Sequence, residues 1–144
     1  MACVRFSQNS GTVATSTAAK TIAEITAPAN TGLWIDEVNV DFYGTSSTQA
    51  KVLVQLVRGS TGSVGTTTNP VKADATDDET LQCTGKTNLT DEGSVGTVID
   101  QAVAHPQGSV KFTRRYRIKG GDTFRIRCTT GTDVNCATHI GGEE

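Results

Sequence analysis

The chain has 144 residues, 13 Lys and Arg against 15 Asp and Glu, and a formal net charge of -2. One domain with a real core suits that length, and the acidic balance excludes a global pull toward nucleic acid. No apolar run approaches the roughly 20 residues of a membrane-spanning helix. The composition is β-like, with Thr the commonest residue and 15 Gly to supply turns.

In chain order, residues 2–7 alternate weakly and read as a first strand, and residues 9–19 are small and polar. Together residues 1–19 form an N-terminal strand or arm ahead of a domain over 20–144. The start Met1-Ala2-Cys3-Val4-Arg5-Phe6 has no apolar core of a signal peptide, so synthesis in a cytoplasm is expected. Residues 20–27 (KTIAEITA) are a short strand, stopped by Pro28-Ala29-Asn30-Thr31-Gly32.

The stretch 33–58 organises the chain. In its first half Val38, Val40 and Phe42 alternate with Glu37, Asn39 and Asp41, the period of a half-buried strand. Residues 51–58 (KVLVQLVR) are apolar on both faces, so something packs on each side: a second sheet on one, and an edge, a loop or a sister subunit on the other. The polar connection 44–49 predicts an antiparallel pair of long strands.

Beyond it, residues 59–70 are low in complexity and read as a long loop ending on Asn69-Pro70; residues 71–73 suggest another strand. Asp74, Asp77, Asp78 and Glu79 mark a solvated acidic loop, residues 80–84 a weak strand, 88–93 a turn and 94–104 a strand ending at His105-Pro106. Then Val110, Phe112, Tyr116 and Ile118 alternate with Lys111, Thr113, Arg115 and Arg117, with Arg114 as the one misplaced polar residue. Gly120-Gly121-Asp122 turns the chain. Phe124, Ile126 and Cys128 share one face, and after a turn at Gly131 so do Val134, Cys136 and Ile140. No segment shows a helical period.

This pattern predicts an all-β, single-domain antiparallel β-sandwich, jelly-roll-like. Its core is led by Val38, Val40, Phe42, Val52, Val54, Leu56, Phe112, Phe124 and Ile126. Trp34, at a strand start, reads as core. For the cysteines, with no secretion signal, free buried thiols are expected rather than disulfides. Cys128 and Cys136 flank a turn and are candidates to face each other across a hairpin. Whether they bridge depends on a register that one residue of slip would reverse.

Chemistry is sparse. His105 and His139 have no nucleophile and orienting partner at a recognisable spacing, so no catalytic residue is named and no enzyme is expected. Cys128, Cys136 and His139 match no zinc spacing, and the acids at 74–79 lack the Gly and the spaced bidentate Glu of a calcium loop. The glycines of 59–65 lack the Lys-Ser/Thr and the helix of a phosphate cradle. No metal and no cofactor is expected. One feature is less bland: Lys111, Arg114, Arg115, Arg117, Lys119, Arg125 and Arg127 lie within 17 residues with only Asp122 against them. The acids gather at Asp36, Glu37, Asp41 and between Asp74 and Asp91. Such segregation suits pairing between subunits or with an acidic partner, and equally the guarded solvent faces of edge strands. Few aromatic residues are available to stack on bases, so direct nucleic-acid contact is not expected.

The stretch Leu33-Trp34-Ile35-Asp36-Glu37-Val38-Asn39-Val40-Asp41-Phe42-Tyr43-Gly44, followed by Val52-Leu53-Val54-Gln55-Leu56-Val57-Arg58, resembles a family of small β-sandwich virion proteins of tailed bacteriophages. That family tends to show a strand ending in Phe-x-Gly, a Val-Leu-Val-x-Leu strand, then a Thr/Gly-rich loop and a Pro, here residues 59–70. A His-Pro-Gln follows (His105-Pro106-Gln107), then a closing hairpin and a short acidic tail to Glu143-Glu144. The likeness covers the chain from Lys20 onward; the cysteines and the acids at 74–79 are outside the pattern. It implies a decoration (cement) protein on the capsid surface, assembled in the host cytoplasm, with the major capsid protein as partner and a homotrimer as the assembly. The contact residues expected on that view are Arg5, Phe6, Val13, Thr61, Val64, Arg114, Arg115 and Arg117. The alternative is a carbohydrate- or receptor-binding β-sandwich of a head fibre or tail. It requires an exposed aromatic platform from Trp34, Tyr43 or Tyr116.

Overall fold

The computed structural model describes residues 3–45 and 50–144; the centre of the polar connection after Phe42 and the first two residues lie outside them. Among the described residues the regular structure is all β-strand. In chain order the strands are β1 (Arg5–Asn9), β2 (Val13–Ala14), β3 (Lys20–Thr26), β4 (Leu33–Phe42), β5 (Val52–Arg58), β6 (Val64–Thr67), β7 (Val71–Lys72), β8 (Thr84–Asp91), β9 (Thr97–Ala104), β10 (Ser109–Phe112), β11 (Tyr116–Ile118), β12 (Thr123–Thr130) and β13 (Asn135–Glu143). They form two antiparallel sheets. One has seven strands in the order β10-β4-β13-β1-β7, with β11 beside β10 on β4 and β2 on β13; the other has six in the order β6-β8-β3-β12-β5-β9.

The sheets pack face to face, as the alternation requires. Val38, Val40 and Phe42 from one layer meet Val52, Val54, Leu56, Phe124 and Ile126 from the other, and Phe112 joins them; all nine expected core residues are buried. Burying each such side chain is worth about 1.5–3 kcal/mol. The antiparallel β-sandwich expected from the strand pattern is what the chain forms.

The pairing differs from the expectation. β4 and β5 are not a hairpin: β4 lies between β13 and the β10/β11 edge, whereas β5 lies between β12 and β9 in the opposite sheet. The connection after Phe42 steps from one layer to the other, so the two strands face each other across the core. The step from β12 to β13 does the same, and no hairpin joins them. A polar link of this length is compatible with either geometry, and nothing local chooses between them.

The N-terminal segment is not a free arm. β1 lies between β13 and β7, and β2 also pairs β13, so residues 5–14 are built into the seven-stranded sheet. Phe6 and Val13 are core residues at 2% and 5% exposure. The long loop 59–70 contains β6, and the turn expected at 88–93 begins inside β8, where Asn88 has φ 50. Arg114 also finds its reason. Phe112 pairs Val38 and Tyr116 pairs Ile35, so four steps on one strand oppose three on the other. The extra residue breaks the edge into β10 and β11, the geometry of a bulge.

Candidate binding surfaces

The two outer faces carry most of the remaining charge, and the fold treats them differently. On the six-stranded sheet, β3, β8 and β12 bring Glu24, Lys86 and Arg125 into one row. Residues 59–63 and 92–96 fold back over that row and bridge at Thr61 and Ser94. Ser63 donates to Glu24 at 2.8 Å, and Lys86 donates to the Ser63 carbonyl at 2.8 Å. Ser60 and Thr123 exchange bonds at 2.9 Å. Beneath this flap Arg125 Nε meets Glu24 Oε2 at 2.5 Å, with the two side chains 0% and 3% exposed. The terminal nitrogens of Arg125 have no hydrogen-bond partner among the described residues. Alongside, Arg127 pairs with Glu92 at 3.1 Å, and Glu92 also accepts from Thr21. The second face of β5 is thus covered by the chain itself at its Val57 end, where Val57 is fully buried, while Leu53 further along is half-buried.

On the seven-stranded sheet the outer face is open. Trp34 belongs to it, 37% exposed rather than in the core. The guanidinium carbons of Arg115 and Arg117 lie 4.3 Å and 5.3 Å from its ring centroid, in reach of cation–π attraction. Arg115 also pairs with Glu143, which together with Asp36 holds Arg5 at 3.7 and 3.5 Å. Further along, His139 meets Asn9 at 2.9 Å and Glu37 at 3.5 Å. Three strands, β1, β4 and β11, and the bulge before β11 thereby assemble Arg5, Trp34, Arg117 and Arg115 into one basic, aromatic cluster.

Of the expected contact residues, the fold brings together Arg5, Arg115 and Arg117. Arg114 is exposed at the bulge beside them. Thr61 and Val64 lie on the other sheet, exposed at the flap and on β6. Phe6 and Val13 are buried, so neither offers a side chain to a partner. The basic run does not form one surface, because Arg125 and Arg127 are consumed by Glu24 and Glu92. Sequence reasoning missed that pair because alternation alone marks Glu24 and Arg125 as solvent-facing. The available signal was Glu24 itself, a lone acid within an apolar strand.

The sheet edges differ as well. β9 ends the six-stranded sheet with Val98 and Val103 at 42% and 62% exposure, with Val95 just before it. Its one charge, Asp100, accepts from the Tyr116 hydroxyl at 2.6 Å, closing the open side of the sandwich. Burial, and then this carboxylate, push the Tyr116 phenol above its ordinary range. The opposite edge, β6, is also neutral and presents Val64 at 54%. In the acidic loop, the Thr76 hydroxyl and N–H hold Asp74 below the usual carboxylate range. His105 Nδ1 accepts from Gln107 N–H at 3.1 Å. Among the described residues no pocket forms, and no three His, Cys, Asp or Glu gather as metal ligands would.

The aromatic residues do not form a platform. Tyr116 is buried, Trp34 is stacked by two arginines, and exposed Tyr43 lies nine residues along β4 from it, about 30 Å at strand rise.

No protein-family model and no curated protein matches the chain. Among solved structures, one chain of the acidic stable capsid structure of Helicobacter pylori bacteriophage KHP30 is similar over 98% of this chain and 88% of that one, at 8% identity and a TM-score of 0.49. A chain of the infectious bursal disease virus Gx strain aligns over 99% of this chain and 39% of its own, at 17% identity and a TM-score of 0.16. Likenesses at these scores carry no argument about function.

Proposed function

We propose that the protein is a non-enzymatic bacteriophage capsid decoration protein. It binds the outer head surface between major capsid subunits, as a homotrimer, after assembly in the host cytoplasm. The observation that carries this reading is the pair of neutral, valine-bearing edges on the six-stranded sheet. Edges are guarded by Lys, Pro or inward charge, or by shortness and bulges; β6 is short and bulged but carries no charge, and the one charge of β9 is spent on Tyr116. Exposed edges of this kind suit contact with other protein. Because β6 and β9 end the same sheet on opposite sides, contact between them in successive copies is head-to-tail, the kind that closes into rings. The sequence resemblance supplies the class of partner, and the open Arg5–Arg115–Arg117–Trp34 cluster supplies a surface for acidic groups on it.

The test is binding to expanded heads of the parent phage that lack this protein. The purified chain should co-sediment with them and raise their resistance to heat. The double variant V98D/V103D should stay folded, since both side chains are exposed, but lose trimer formation and head binding by at least tenfold. Failure of the wild-type chain to bind, or wild-type occupancy by the variant, would overturn the reading.

A further inference from the structure

Two thiols that this reading does not use lie against each other in the middle of the molecule. Cys128 is on the inward face of β12, in register with Val54; Cys136 is on the inward face of β13, in register with Phe42. The strands belong to opposite sheets, so the pair spans the core rather than a hairpin. Both side chains are 0% exposed, both are free thiols in the same core cluster, and Cys136 is near enough to raise the Cys128 thiol above its ordinary range. Residues 131–134 connect β12 to β13, and each cysteine lies within a few residues of that corner, where the chain passes between layers. The other two cysteines are placed elsewhere. Cys3 is exposed. Cys83 is beside Glu144, and burial followed by that carboxylate pushes its thiol up to about 12.

From this arrangement we propose that Cys128 and Cys136 are a redox modification site, closing to an inter-sheet disulfide once the protein leaves a reducing compartment. The oxidant class is a small disulfide. One cysteine thiolate attacks a sulfur of the oxidant, breaking its S–S bond and releasing one small thiol. The second cysteine thiolate then attacks the mixed disulfide and releases the other. Two protein thiols and one small disulfide become one protein disulfide and two small thiols. The Cys136 contact and burial both hold the Cys128 thiol above its ordinary range, and a protonated, buried thiol is inert. Closure is therefore slow in the native state and proceeds when the corner at 131–134 opens. Bridging two positions eight residues apart restricts the unfolded chain. The bond stands independently of any capsid role; the capsid reading adds only when it closes, on release of particles from the cell.

The test uses the full wild-type chain with Cys3 alkylated under native conditions. It is incubated with excess oxidised glutathione at pH 8 and low urea, then examined by intact mass and peptide mapping. The expected result is loss of two hydrogens, a Cys128–Cys136 cross-linked peptide, an unmodified Cys83, and a thermal midpoint raised by about 5–10 °C. Reduction should reverse the shift, and Cys136→Ala should abolish the mass loss. Retention of both thiols, a bond to Cys83 instead, or a midpoint that falls on oxidation would overturn the proposal. The peptide map of the wild-type chain decides the matter even where the variant fails to fold. Head binding is measured separately, so each proposal fails on its own result.

Discussion

The two outer faces of the sandwich use the same residue types to opposite ends. Under the flap, Glu24 and Arg125 form an ion pair cut off from water. On the open face, Arg5, Arg115, Asp36 and Glu143 form ion pairs that solvent reaches, with the arginines about half exposed. Charges taken out of water depend on each other, because the desolvation cost stays when a partner is removed. Charges left in water hardly notice the loss. One face is thus part of the scaffold, and the other is free to be spent on a partner.

That contrast is breakable in four places. The largest effect belongs to the buried pair. Glu24→Ala or Arg125→Ala should cost about 3–5 kcal/mol in urea unfolding followed by circular dichroism. The double apolar variant E24M/R125M should recover most of it, since it also removes the unpartnered terminal nitrogens of Arg125. If the single variants lost under 1 kcal/mol, the flap would not be sealing its charges.

Next comes the flap. Gly93 has φ 59, and a Cβ there would sit 2.1 Å from the Thr61 carbonyl oxygen, on the opposite segment. Gly93→Ala should therefore lift residues 59–63, costing about 1–3 kcal/mol and opening the segment to limited proteolysis. Resistance equal to wild type would show that the two segments do not hold each other.

Smaller still is the tie between the layers at Tyr116. Its folded-state phenol titrates above the ordinary value of 10, so its contribution is fully present below pH 10 and is lost as pH rises toward the folded value. Tyr116→Phe should cost about 1–2 kcal/mol at neutral pH and flatten part of the decline in stability above pH 10. A decline as steep as wild type would remove Tyr116 from its causes.

The smallest effect on stability is on the open face. Arg115→Ala and Arg117→Ala should each shift unfolding by no more than about 1 kcal/mol. A loss comparable to that of Arg125→Ala would erase the distinction between the two faces.

Much of the fold was legible in the chain, and the reason is local. Strand alternation repeats every two residues, so Val38, Val40, Phe42, Phe124 and Ile126 declare a buried face wherever their strands end up. The same rule does not account for Trp34, Glu24 or Arg125. Period two separates the faces of a strand without saying what lies over the outer one. Trp34 shares the parity of Val38, Val40 and Phe42, but a register shift between Ile35 and Glu37 turns it to the open face. Glu24 and Arg125 have the parity of a solvent face and a loop on top. The basic cluster was half legible: the run from Lys111 to Arg127 is plain, but Arg5 comes to it from the other end of the chain, through the β1–β13 pairing.

An all-β chain and the strands that build the core are legible in the residues alone. These follow from side-chain chemistry and a two-residue period. The three-dimensional pairing alone sets that β4 and β5 face each other across the core instead of pairing, that the flap covers the Glu24–Arg125 row, and that Cys128 and Cys136 both point between the layers. Each of those depends on which strand becomes whose neighbour. That choice is made by contacts between residues far apart in the chain, where a polar link of a few residues serves a hairpin and a crossing equally well.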